Sequence, residues 1–280
     1  PSRGYGGTEM LYSLWDYLEG ENKILVLTLD EIDYYVRTTG EDIVYELTRL
    51  TNSVRNVPQR LNFIFIARDH SFMEVLSPST LSKFRPQEHL EFPPYLKTQL
   101  KDILADRVEE AFRPNTVSEE IVDFISRNAA KYGSGDARYA IQLLAAAGYI
   151  ADRDLSDHVK PEHVREAQSR TDPRLSDEDV AMLPEEEKCV VLALASVLRW
   201  GEEVYVPLEE VESHYRAVCE EYGREPVGRA MFQGLVQNLK AAGVVVVGEN
   251  LELGLDGVRA EVLEKFLIRL LEGVEEDRDA

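Results

Sequence analysis

The sequence predicts an α/β chain: a parallel sheet with flanking helices, then an all-helical stretch, then a small helical domain with a β-ribbon. Three observations predict it. Two runs of uncharged residues rich in Val, Ile, Leu and Phe, 24–29 and 61–67, are each preceded by a helical pattern and each end in polar residues. From Leu96 to Gln168 only helical periodicity appears. Beyond Glu187 three helical segments lead into Val244–Val247, a turn at Gly248-Glu249-Asn250, and Leu251-Glu252-Leu253.

Thr8 to Glu19 places Leu11, Leu14, Trp15 and Leu18 on one helical face, with Thr8 as its expected cap. The chain begins with Pro1 rather than Met, so the natural start is expected upstream. The run Ile24–Leu29 reads as a strand covered on both faces, and it delivers Asp30 and Glu31 at its carboxyl end. In open α/β sheets that edge is where ligands bind. An Asp there can hold Mg2+, usually through water, and a following Glu can polarise an attacking water, which is the Walker B arrangement. Glu41 to Ser53 reads as a helix, and Leu61–Ala67 as a second buried strand ending in Arg68-Asp69-His70. No G-x-x-x-x-G-K-[ST] phosphate loop occurs in these 280 residues.

Residues 78–94 read as irregular, and Phe92-Pro93-Pro94-Tyr95 breaks any helix. Helices are then expected over 97–112, 118–131, 135–151 and 161–168. Gly133-Ser134-Gly135-Asp136 makes a tight turn with Asp136 as cap, which puts Arg138 in a first helical turn. The helix dipole disfavours a cation there, so Arg138 calls for a reason beyond helix stability. Ser169 to Glu186 is polar and acidic with two prolines, and reads as a linker. Helices at about 187–199, 208–222 and 228–242, a hairpin, and a last helix over 258–271 form the winged-helix pattern, whose third helix usually meets DNA.

These residues together resemble the archaeal origin-recognition replication initiators, an AAA+ ATPase family related to the eukaryotic origin-recognition complex. The residues that carry the resemblance are Leu27-Thr28-Leu29-Asp30-Glu31-Ile32-Asp33, Glu91-Phe92-Pro93-Pro94-Tyr95, Gly135-Asp136-Ala137-Arg138, and Tyr215 with Cys219-Glu220-Glu221-Tyr222-Gly223 and Pro226. The resemblance implies four parts: a partial AAA+ base at 1–95 lacking the region with the phosphate loop, a helical lid at 96–170, a linker at 171–186, and a winged-helix DNA-binding domain at 187–280. It implies that Asp30 holds Mg2+, that Glu31 is the hydrolytic acid, and that Arg138 reaches a nucleotide γ-phosphate. ATP or ADP with Mg2+ would be cofactors of the full-length protein only. Arg68 stands where the family has a polar first sensor, commonly Asn, and is taken as cofactor-binding. Ser79 stands where the family carries an arginine, although Lys83 and Arg85 lie close by.

Residues 184–280 hold 21 Asp or Glu against 10 Lys or Arg, so that domain is no basic module. One stretch differs: Pro226 to Gly248 has no acid, and Arg229, Gln233, Gln237 and Lys240 recur on one helical face opposite Phe232, Leu235, Val236 and Leu239. Donors and cations on the outer face of a core-packed helix are what groove insertion requires. The ribbon carries Glu249 and Glu252 and promises little help, so weak, salt-sensitive duplex binding is expected.

The net charge of −21 repels phosphates at long range. Adaptation to a salt-rich cytoplasm is one account, since screening shortens that repulsion to a few ångströms at about 1 M salt. No run of about 18 apolar residues and no signal peptide occurs, so no membrane partner and a cytoplasmic, nucleoid-associated location are expected. Cys189 and Cys219 lack metal-ligand spacing and read as core residues in a reducing compartment, and the five histidines show no paired metal spacing. The acidic residues 275–280 read as a disordered end.

The expected function is a replication initiator that binds origin DNA and, when complete, ATP, gating replicative helicase loading with other initiator subunits. Two rival readings are a non-catalytic AAA+ scaffold and a winged-helix transcription regulator with a nucleotide switch.

Overall fold

A computed structural model describes residues 7–52, 60–84, 89–171, 175–200 and 203–273. The chain divides into two compact units, Pro1–Phe92 and Pro93–Ala280.

In the first unit, helix α1 (Gly7–Gly20) leads into strand β1 (Leu25–Leu29), helices α2 (Ile32–Thr39) and α3 (Asp42–Asn52), strand β2 (Leu61–Phe65), a 3-10 turn at His70–Val75 and a short helix α4 (Pro78–Leu81). Strands β1 and β2 pair in parallel with Leu25 opposite Leu61 and Leu29 opposite Phe65. Strand periodicity puts Leu25, Leu27 and Leu29 on the same side as Leu61, Phe63 and Phe65. That side meets the helices: Trp15 and Leu18 of α1 pack with Leu61, Leu25 and Phe63, while Ile32, Val36 and Val44 pack with Phe65.

The expectation that both strands are covered on both faces is therefore corrected. Val26 is 56% exposed and Ile64 50%, because the helices of this unit lie on one side of the strands. Uninterrupted hydrophobicity marked apolar surface, not its cover. Two further differences are local. Thr8 lies inside α1 rather than capping it, and α2 follows β1 directly where no helix was expected. Arg85 and residues 275–280 lie outside the described residues.

The second unit begins with four helices, α5 (Lys97–Ala111), α6 (Glu119–Tyr132), α7 (Ala137–Arg153) and α8 (Pro161–Thr171). Leu100, Leu104, Phe124, Ile125, Leu143, Leu144 and Val164 fill their core. The stretch expected to be a linker holds helix α9 (Asp177–Ala181), capped by Ser176, whose Val180 is buried. Then come α10 (Glu185–Trp200), β3 (Val206–Pro207), α11 (Leu208–Glu221), α12 (Arg229–Ala241), β4 (Val246–Val247), β5 (Glu252–Gly254) and α13 (Ala260–Leu271). The ribbon is a three-stranded antiparallel sheet of order β3-β5-β4, one strand more than the sequence pattern indicated. A two-residue strand holding a proline leaves no readable periodicity.

Contacts far apart in sequence join the four-helix part to the winged helix. Arg165 on α8 is fully buried; its Nε donates to the Leu255 carbonyl at 3.0 Å and its Nη2 to the Val204 carbonyl at 2.9 Å, while Nη1 pairs with the Glu162 carboxylate. Glu162 also accepts the Ala260 N–H at 2.9 Å, at the start of α13. Gln168 Oε1 takes the Gly257 N–H at 3.2 Å, and Tyr132 donates to Asp256 at 3.0 Å. Tyr205 lies edge-on to Phe124 and beneath the Arg127 guanidinium, 4.6 Å from its ring centre.

Candidate functional site

Asp30 and Glu31 leave the end of β1 in the first unit. Backbone bonds continue past the sheet there: Ile66 N–H donates to the Leu29 carbonyl at 2.9 Å, and Ile32 N–H to the Ile66 carbonyl at 3.0 Å. This stitching brings Arg68 beside Glu31, and Arg68 Nη2 donates to Glu31 Oε1 at 3.0 Å. Glu31 sits at φ 55, ψ 36, a left-handed conformation that costs a non-glycine residue about 1–2 kcal/mol. Its N–H is held by Asp30 Oδ1 at 2.8 Å. The bond to Glu31, then the charges of Glu31, Asp33 and Asp30, raise the Arg68 pKa above its ordinary value. Asp33, two residues after Glu31, is buried, and its Oδ1 has no hydrogen-bond partner among the described residues.

Asp30 is exposed, and among the described residues its charge acts on Arg68 without a direct ion pair. One open carboxylate at a strand end suits Mg2+, which keeps several waters and takes one or two carboxylates plus substrate phosphates. Among the described residues no group of three or more acids, histidines or cysteines forms a metal cage of its own. Asp30 is the residue here that could serve such an ion as a protein ligand.

Arg138 belongs to the second unit. Asp136 caps α7 and accepts the Arg138 N–H at 2.7 Å, and the Arg138 side chain is exposed with no ion pair among the described residues. The turn before it has little freedom. Gly135 has φ 71, and a Cβ there would stand 2.6 Å from the Tyr95 carbonyl oxygen and 2.8 Å from Pro94. Tyr95 N–H in turn donates to the Gly135 carbonyl at 3.1 Å. Two segments that carry the resemblance, Pro93-Pro94-Tyr95 and Gly135-Asp136-Ala137-Arg138, are thus in contact. Ser79 lies in α4 with its hydroxyl 2.9 Å from that of Ser77, and Lys83 is half-buried nearby in sequence.

Helix α12 buries Phe232, Val236 and Leu239 and exposes Arg229, Gln233, Gln237 and Lys240. The tertiary structure amends one point. That face is free of acids in sequence but not in space, because α11 sets Glu209 2.9 Å and Glu212 3.9 Å from Arg229. Gln233 and Gln237 line a concavity of about 380 Å³ against the ribbon, floored by Leu208, Val236 and Leu253 and bounded by Leu251. At the ribbon's tip Asn250 and Leu251 have φ 60 and 62, and Leu251 is 59% exposed.

Two relationships were not legible in the sequence. The partner of Glu31 could not be read because Arg68 lies 37 residues away. Arg165 offered only one signal, a cation on the apolar side of an otherwise amphipathic helix.

Residues 101–169 match the family of Cdc6 AAA+ ATPase-type lid domains, and residues 178–259 the CDC6 C-terminal winged helix domain. An AAA+ lid joined to a winged helix, after a parallel β-strand ending in Asp-Glu, defines the class. The chain belongs to the Cdc6/ORC1-type family. The "ORC1-type DNA replication protein 2" of Sulfolobus acidocaldarius is 35% identical over 251 residues, which is 88% of this chain and 60% of that protein. The chain thus spans less than two thirds of that relative. Among solved structures, Cdc6p from Pyrobaculum aerophilum superposes with a TM-score of 0.83 at 26% identity, over 98% of this chain and 73% of that one. The Aeropyrum pernix ORC1 protein in complex with DNA gives a TM-score of 0.51 at 29% identity, over 95% and 69%.

Proposed function

We propose that this chain is the Walker B, lid and winged-helix part of an origin-recognition-type replication initiator. In the full-length protein Asp30 holds Mg2+ on a bound ATP or ADP, Glu31 is the hydrolytic acid, and Arg68 and Arg138 meet nucleotide phosphates. Duplex origin DNA is read by α12 through Arg229, Gln233, Gln237 and Lys240. Nucleotide state then gates loading of the replicative helicase together with other initiator subunits, in the cytoplasm and at the nucleoid.

The observation that carries this reading is the winged helix itself. Its third helix packs an apolar face inward and turns one cationic and amide-bearing face outward, in a chain of net charge −21. The relative solved in complex with DNA supports DNA as a partner. Duplex binding measured by fluorescence anisotropy should be weak, should fall steeply with salt, and should be abolished in Arg229→Glu. Unchanged binding in that variant removes α12 from the account. For the nucleotide half, a fluorescent ATP analogue should bind the full-length protein and lose affinity in Asp30→Ala.

Two observations favour the scaffold reading. Glu31 is already engaged by Arg68, and the position of Ser79 offers no cation. Absence of analogue binding to the full-length protein would select it.

A further inference from the structure

We propose that Arg68 is a phosphate-responsive latch on Glu31: its guanidinium holds the carboxylate until a nucleoside triphosphate arrives beside Asp30 and takes the guanidinium away. The inference deepens the proposed nucleotide site and rests on it.

The geometry has three parts. First, Arg68 is delivered to Glu31 by backbone, since the Ile66–Leu29 and Ile32–Ile66 bonds tie the ends of the two strands together on either side of Glu31 and just before Arg68. Second, Glu31 is not free to choose its direction. The left-handed backbone, the Asp30 bond to its N–H and the start of α2 immediately after it fix where the side chain leaves the chain. Third, the contact is monodentate. Among the described residues only Nη2 of Arg68 is engaged, which leaves most of the guanidinium's donors for another acceptor.

An arginine fork matches phosphate as well as carboxylate, and a polyphosphate offers more charge and more acceptors than one Glu oxygen. The Arg68 and Glu31 side chains are 75% and 60% exposed, which makes the pair weak enough to exchange partners. A polar, uncharged residue in place of Arg68 could hydrogen-bond phosphate or Glu31 but would bring no charge to either contact. Arginine brings charge to both, and it positions Glu31 rather than acting on the reacting atoms.

The test is a double-mutant cycle on a non-hydrolysable ATP analogue, using the full-length protein. If one guanidinium is shared, Glu31→Gln frees it and tightens analogue binding by about fivefold, the equivalent of about 1 kcal/mol. In the Arg68→Gln background the same change should move binding less than twofold, and Arg68→Lys, which keeps the charge, should restore part of the difference. An equal effect of Glu31→Gln in both backgrounds overturns the latch and leaves the nucleotide site standing. No analogue binding by the unmodified protein, or binding indifferent to Asp30→Ala, overturns the site and the latch together.

Discussion

Arg165 and Leu255, 90 residues apart in sequence, are joined by a hydrogen bond from the arginine Nε to the leucine carbonyl at 3.0 Å, inside a region closed to solvent. With the second bond to Val204, this one side chain satisfies two backbone acceptors, one just before β3 and one just after β5. A cation survives there because Glu162 neutralises it and Phe124 lies 5.7 Å below the guanidinium.

Replacing Arg165 by Met should therefore be costly. It removes the charge but strands Glu162 and two buried carbonyls, and the expected loss is about 3–5 kcal/mol. Urea unfolding of the second unit checks this. A loss below about 1 kcal/mol would mean that water replaces the guanidinium and that the joint is wetter than its burial indicates.

Gly135 and Gly223 separate conformational strain from crowding. Both are left-handed, at φ 71 and 64, but only Gly135 has neighbours where a Cβ would stand. Gly223→Ala should cost about 1 kcal/mol. Gly135→Ala should cost clearly more, since the Tyr95 carbonyl must also move, and it should weaken ATP-analogue binding in the full-length protein by displacing Arg138. Equal thermal shifts for the two variants would refute the crowding argument.

His163 gives a pH signature. Burial first, opposed by the nearby Asp154 carboxylate, holds its pKa below the usual 6.5, and its Nδ1 accepts the Lys160 N–H at 3.0 Å, which requires the neutral ring. The unfolded chain takes up a proton near pH 6.5 that the folded chain refuses, so stability falls as pH drops through that value. Glu166 and Asp154, both held below their ordinary values chiefly by Arg153, lose their contributions only at lower pH. Between pH 7.5 and 5.5 the decline in urea midpoint should therefore shrink in His163→Gln. An identical decline would assign it elsewhere.

Glu209 competes with DNA for Arg229 in the proposed interface. Removing its charge with Glu209→Gln frees the guanidinium, and duplex binding should strengthen about two- to fivefold at low salt, the range an exposed ion pair can supply. Weaker binding would show that Glu209 orders Arg229 for contact rather than withholding it.

Much of this protein was legible in its residues. Helices α5 to α8 and α10 to α12 announce themselves through periodicity, Asp136 through cap chemistry, and the Asp30-Glu31 pair through its place after an apolar run, because each of these signals lies within a few neighbouring residues. What depends on distant residues was not legible. Which face of β1 is covered, which guanidinium holds Glu31, which acids reach Arg229, and how α8 is tied to the ribbon were decided only when the chain folded, since charge and burial act through space and a single sequence records only order.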